Sequence, residues 1–301
     1  MIPIKRVFEY TVTDEYVSAD IKTVMKKHFN MSSELIKRLK TTEDGIVVNE
    51  ERKHVNYILK IGDELKLTIT EGKSEFIVPV KIDFEIVYED EDIMIVNKPA
   101  GIATHPSQRH FDDTLANGIM YYFEQKGEER TFRAVNRLDK DTSGLMCIAK
   151  NSHAHDRLCK TLHESFERRY MAIVEGEITE SGTVDAPIGR ADESIIQRCI
   201  TKDGQYAVTH YRPVESFDKY SVVELLLETG RTHQIRVHMS HIGHPLLGDW
   251  LYGNEDGFSR TALHSSYIKL IHPVSGEKLE FSISMADDMQ EFLKAYRKSA
   301  E

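Results

Sequence analysis

Cysteine is scarce in this 301-residue chain, and it is unpatterned. The three cysteines, Cys147, Cys159 and Cys199, are odd in number and show no Cys-x-x-Cys spacing, so neither a disulfide framework nor a zinc site is indicated. A reducing cytoplasm is the expected location. Long apolar runs are missing too. No stretch approaches the roughly 20 apolar residues that cross a bilayer, and the opening MIPIKRVFEYTVTDE has no apolar core of signal-peptide length. A membrane partner is therefore not expected. There is also no excess of positive charge: the formal net charge is −10, which argues against a chain that coats nucleic acid indiscriminately. Internal repeats and low-complexity segments are likewise absent.

What is there is a soluble-type composition, 40% hydrophobic and 29% charged, with cations gathered locally. Residues 21–40 hold Lys22, Lys26, Lys27, Lys37, Arg38 and Lys40 against Glu34 alone, and residues 130–170 are also net basic. A polyanion docking on two basic patches stays open.

Periodicity predicts a small α+β unit over residues 1–72. Ile21, Val24, Met25 and Phe29 share one helical face, Ser32 or Ser33 can cap a second helix bearing Glu34 in its first turn, and Leu65, Leu67 and Ile69 alternate like a strand. Residues 73–83 read as a linker into a larger domain, 84–301. There, strands are expected around the acidic turn YEDED, at LMCIAK, at RRYMAIVEGEI and as a hairpin over 206–229. Helices are expected at TLANGIMYYFEQKG, SHAHDRLCKTLHES, HQIRVHMSHIG (capped by Thr232) and ADDMQEFLKAYRKS. Strands outnumber helices without alternating with them, so the fold class is α+β.

Four stretches could carry chemistry. In VNRLDKDTSGL, Arg137 and Lys140 flank Asp139; neighbouring cations favour a carboxylate's charged form and fix its direction, as a nucleophile requires. A solvated turn would look much the same. In ETGRTHQIRVHMSHIGHPLLGDWLYG, four histidines follow Arg231, but their spacing matches no standard metal-ligand pattern. The basic helix in KRLKTTEDGIVVNEE suits an RNA platform or simply a solvated face. In ERRYMAIVEG, Tyr170 could pack in a core, while Arg168 and Arg169 could meet phosphates.

Together these stretches resemble the RluA/RluD-type pseudouridine synthases. NRLDKDTSGLM is similar to that family's His-Arg-Leu-Asp-x-x-Thr-Ser-Gly-Leu signature, with Asn136 in place of the His. IVNKPAG, RRYMAIVEG, TGRTHQIRVHMSHIGHPLLGD and ALHSSYIKLIHPVSG follow in the family's order. Residues 14–70 resemble, more loosely, an alpha-L RNA-binding module. The resemblance implies a catalytic domain with a mixed, mostly antiparallel bent sheet and flanking helices. It implies isomerisation of uridine to pseudouridine after base flipping, without cofactor or metal. Asp139 would attack the sugar anomeric carbon or carbon 6 of the base. Tyr170 would stack on the uracil and is a candidate to remove the carbon 5 proton, and Arg231 would pair with Asp139. Lys98 and Leu263 would line the pocket, Arg137 would fill the gap left by the base, and Arg168 and Arg169 would meet the substrate. Lys26, Lys27, Lys37 and Arg38 would face RNA from the front module. Large-subunit ribosomal RNA is the family's commonest substrate and transfer RNA the second, and a monomer is the default. Two competing readings are a non-catalytic RNA-binding protein, which predicts loss of the Asp, Tyr or Arg, and a carboxylate hydrolase with Asp141 as its second acid.

Overall fold

Alternating burial along the outer strands and burial of both faces of the central ones explain the architecture. The computed structural model describes residues 2–72, 74, 76–108, 110–162, 164–191, 194 and 196–300. The front of the chain forms β1 (Lys5–Thr11), α1 (Ile21–Lys27), α2 (Ser33–Thr41), β2 (Ile46–Val48), β3 (Glu51–Arg52) and β4 (Glu64–Thr70). These strands make one four-stranded antiparallel sheet. Leu65, Leu67 and Ile69 of β4 turn inward onto Ile21, Val24 and Met25 of α1 and Leu35, Ile36 and Leu39 of α2. Each helix starts on a side-chain cap: Asp20 accepts from the Thr23 amide at 2.8 Å and Ser32 from the Leu35 amide at 3.2 Å.

The rest of the chain builds β5 (Glu85–Glu89), β6 (Ile93–Lys98), α3 (Leu115–Gln125), β7 (Ser143–Ala149), α4 (Ser152–Thr161), β8 (Glu167–Glu175), β9 (Gly182–Asp185), β10 (Ile188–Arg190), β11 (Arg198–Ile200), β12 (Val208–Ser216), β13 (Tyr220–Leu227), α5 (Gln234–His241), β14 (Leu263–Ile271), β15 (Lys278–Ser282) and α6 (Asp287–Ala300). Nine of these strands form one sheet in the order β9-β12-β13-β8-β14-β7-β6-β5, with β15 on β14. Every pairing is antiparallel except β14 with β7. Residue parity sorts the two faces. Met94, Val96, Met146, Ile148, Tyr170 and Ala172 meet α3, whereas Ile93, Ile95, Leu145 and Cys147 meet Ala154 and Leu158 of α4.

The parallel seam is tight. Gly144 lies at φ +110°, and a Cβ there would stand 2.3 Å from the Ser265 carbonyl oxygen. Only glycine lets β7 approach β14 this closely, and the chain enters β7 directly from the Asp139 loop.

Among the described residues of 71–84 there is no helix or strand, and the stretch expected as a linker packs on α3; its Lys73 and Glu75 lie outside the described residues. Asn117 of α3 donates to the Val78 carbonyl at 2.8 Å, and the Val80 amide donates to the Asn117 carbonyl. Just before it, fully buried Glu71 pairs with Arg133 at 2.6 Å and accepts from the Ser152 amide at 2.9 Å. Arg6 of β1 clasps buried Asp92 with two bonds of 2.9 Å. The two units are therefore bolted together by ion pairs.

Candidate active site

The loop of residues 134–142 presents Asp139 to a cleft of about 330 Å³ whose walls include Asn136, Arg137, Arg168, Tyr170, Arg236 and Leu263. Three side-chain donors hold the carbonyls around Asp139. Thr104 donates to Leu138 at 2.9 Å, Lys98 to Lys140 at 3.1 Å, and Arg260 to Asp141 at 3.0 Å. The carboxylate itself reaches two partners across the cleft: Arg236 Nη1 at 3.7 Å and His233 Nε2 at 3.8 Å.

Those partners are fixed in turn. Arg236 donates through Nε and Nη2 to both oxygens of fully buried Asp249, at 2.7 and 2.6 Å. Its guanidinium lies 5.0 Å from the Tyr252 ring centre. Such a bidentate pair sets direction as well as charge. His233 opens α5 in the left-handed region, φ +58°, and shares a 2.8 Å hydrogen bond with the Tyr252 hydroxyl through Nδ1. Burial lowers its pKa, against the opposing pull of Asp139. A left-handed backbone is uncommon outside glycine, although histidine is among the side chains enriched there, and such positions cluster at functional sites.

Several expected residues stand elsewhere. Arg231 lines the cleft, but its Nε donates to the Tyr206 carbonyl at 2.9 Å, and the arginine facing Asp139 is Arg236. The reason is helical: Arg236 sits inside α5, aimed inward by Asp249, whereas Arg231 precedes the helix. Thr232 is not the cap of α5; that position is His233, and the Gln234 side chain instead accepts from the Arg231 amide at 2.9 Å. Lys98 is no pocket wall. Fully buried, it donates to the carbonyls of Pro99, Ile102 and Lys140 at 2.9, 2.8 and 3.1 Å, and burial lowers its pKa to about 7.

Arg169 points away from the cleft, because neighbours on a strand face opposite sides. It pairs with Glu167 at 2.6 Å and lies 5.1 Å from the Tyr267 ring centre. Arg168 does face the cleft; it is buried, and its Nε and Nη2 have no hydrogen-bond partner among the described residues. Tyr170 and Leu263 meet on the apolar wall, and burial raises the Tyr170 phenol. Arg137 stays exposed at the rim. Asn136 accepts from the Cys147 amide at 2.8 Å, tying the loop to β7. His238, grouped with the others in sequence, is buried between Thr209 and the Ala186 carbonyl. In the front unit Lys26, Lys27 and Lys37 are exposed, and Arg38 reaches across to the Ser152 hydroxyl.

Reading the sequence missed the roles of His233, Arg236 and Asp249. Their signal was the i, i+3 spacing of His233 and Arg236 at a helix start.

Sequence and fold relatives make this chain an isomerase acting on RNA, and it belongs to the RNA pseudouridylate synthase family. That family's model matches residues 92–241. The chain is 41% identical to "Uncharacterized RNA pseudouridine synthase YjbO" of Bacillus subtilis (strain 168), over 88% of this chain and 95% of that one. It is 43% identical to "Ribosomal large subunit pseudouridine synthase D" of Zymomonas mobilis, over 72% and 74%. The solved structure of Human RNA Pseudouridylate Synthase Domain Containing 1 superposes with a TM-score of 0.56 at 28% identity, covering 71% of this chain and 95% of that one.

Proposed function

We propose that this isomerase converts uridine to pseudouridine in large-subunit ribosomal RNA, with Asp139 as the attacking carboxylate. The observation that carries the reading is the position of Asp139: it lies in a cleft with Tyr170 and Leu263, within 4 Å of an arginine that a buried aspartate aims. Extracting a base costs a few kcal/mol and requires a ring to receive it; the Tyr170 face and the Leu263 side chain offer that bed. In the attack on the sugar, Asp139 displaces nitrogen 1 of the uracil from the anomeric carbon. The uracil turns, and its carbon 5 displaces the Asp139 carboxylate from the same carbon. The carbon 5 proton is then lost to solvent while nitrogen 1 takes one up. Tyr170 offers its ring to the uracil from the apolar wall, and burial raises its phenol. Arg236 holds the carboxylate in line, and Arg168 adds a cation to the cleft wall for the nucleotide's carbonyl or phosphate oxygens. Arg137 at the rim suits the gap left in the RNA.

Lys26, Lys27 and Lys37 give the front unit an exposed basic surface for structured RNA. A monomer working in the cytoplasm fits the three free cysteines; among the described residues no helix is long and apolar enough to cross a membrane. Ribosomal RNA follows the names of relatives such as the Zymomonas mobilis protein. Mapping pseudouridines in cellular RNA with and without the gene tests the target. Loss of a position in large-subunit ribosomal RNA is expected, and loss confined to transfer RNA would replace this substrate with that one.

A further inference from the structure

On the far side of Asp139 a second cavity, of about 430 Å³, opens beside the cleft. Arg137, Asp139, His233 and Arg236 stand in the walls of both, so whatever enters one is next to whatever enters the other. Its outer wall is unlike an ordinary surface. Trp250 is 55% exposed and Ile196 54% exposed, and both border this cavity. Exposed large apolar groups gathered at one opening mark a binding surface.

The backbone on either side of Trp250 is fixed. It follows Asp249, whose carboxylate grips Arg236 and accepts from the amides of Leu251 at 3.1 Å and Tyr252 at 3.2 Å, while the Asp249 carbonyl accepts from the Gly253 amide at 2.9 Å. The turn that aims the arginine at Asp139 therefore also presents the indole to the cavity mouth. Lys140 adds a cation to the same walls, where Arg137, Lys140 and Arg236 stand beside the carboxylates of Asp139 and Asp141. A flat ring beside positive charge is how proteins take an unpaired nucleotide: the ring stacks on the base and the cations meet the phosphate.

We propose that this cavity receives the base of the nucleotide adjoining the target uridine, unstacked from its neighbour and laid against Trp250. The proposal rests on RNA occupying the Asp139 cleft and adds a second base site, continuous with it. It makes Trp250 a determinant of which uridines are accepted, since the adjoining nucleotide has to be one that can be turned out.

Trp250 is the chain's single tryptophan, so its emission reports this site alone. The full chain is titrated with decauridylate and with a decamer of the same ribose-phosphate backbone lacking bases, binding being followed by anisotropy of a labelled copy of each. Decauridylate is expected to quench the tryptophan at saturation, and the baseless decamer to leave it nearly unchanged. Trp250→Ala is expected to weaken decauridylate binding about tenfold, within the range for loss of one stacked base, and Trp250→Phe to restore most of it. Saturated binding with unchanged emission, equal quenching by both decamers, or equal affinity of Trp250→Ala and the native chain would overturn the stack while leaving the RNA reading intact. Failure of decauridylate to bind at all would overturn both.

Discussion

Asp139 and Arg236 lie 3.7 Å apart, a separation at which the arginine guides the carboxylate without locking it into a short bond. That looseness suits the attacking role proposed for Asp139. Arg236 cannot be replaced by another cation, because its three roles need a planar fork: Nε and Nη2 on Asp249, Nη1 toward Asp139, and the flat face over Tyr252. Arg236→Lys keeps the charge and loses the fork. We expect kcat to fall about 100-fold or more, as when a preorganised electrostatic group is removed, with a smaller change in KM. Steady-state tritium release from RNA labelled at carbon 5 of uridine measures both, and an unchanged kcat would remove Arg236 from the machinery.

At the scale of the element, the Asp139 loop is a clipped turn. Lys98 uses all three ammonium hydrogens on three carbonyls, one of them that of Lys140 beside Asp139. Its folded pKa, about 7, lies below the ordinary 10.5. Between those values the unfolded chain holds a proton that the folded chain lacks, so this group makes stability rise with pH across that window. The clip moves the other way: deprotonation leaves one carbonyl without its donor. Turnover is therefore expected to decline as pH rises from 7 to 9 while the urea midpoint does not fall with it. The decline should be missing in Lys98→Met, which is slow throughout. A native pH profile that stays flat to pH 9 contradicts the clip.

The elements themselves were largely legible, because apolar spacing and caps are local: Ser32 with Glu34 announced α2, and Leu65, Leu67 and Ile69 announced β4. Asp139, Tyr170 and Leu263 could be named because the stretches resembling the family are contiguous. What could not be read was direction. Arg231 and Arg236 are both arginines in one motif, and only the buried Asp249, thirteen residues beyond Arg236, decides which faces the carboxylate. Arg168 and Arg169 are adjacent, and strand parity alone separates them. Lys98 sits in a motif and yet bonds only to backbone, which no side-chain pattern announces.

For the whole molecule, the front unit meets the rest of the chain at a joint of ion pairs. Asp92 is nearly inaccessible and takes bonds from Arg6 and Asn151, while Glu71 is buried against Arg133. Removing residues 1–72 would leave Asp92 without its charged partner and Arg133 without Glu71, so a truncated chain loses stability as well as RNA-binding surface. The single change Arg6→Ala isolates the joint. Breaking a buried pair on one side costs about 3–5 kcal/mol, and Arg6, partly exposed, should fall at or below the lower figure. Urea unfolding measures it. A midpoint equal to the native chain's would mean that the two units are independent.

All of this depends on one carboxylate. Asp139→Asn keeps the size and shape of the side chain and removes the charge, leaving the front unit and the cleft's apolar wall in place. The direct measurement is tritium release from RNA labelled at carbon 5 of uridine, made beside RNA binding by the same protein. Release should vanish while binding stays close to native; release at the native rate would contradict the account.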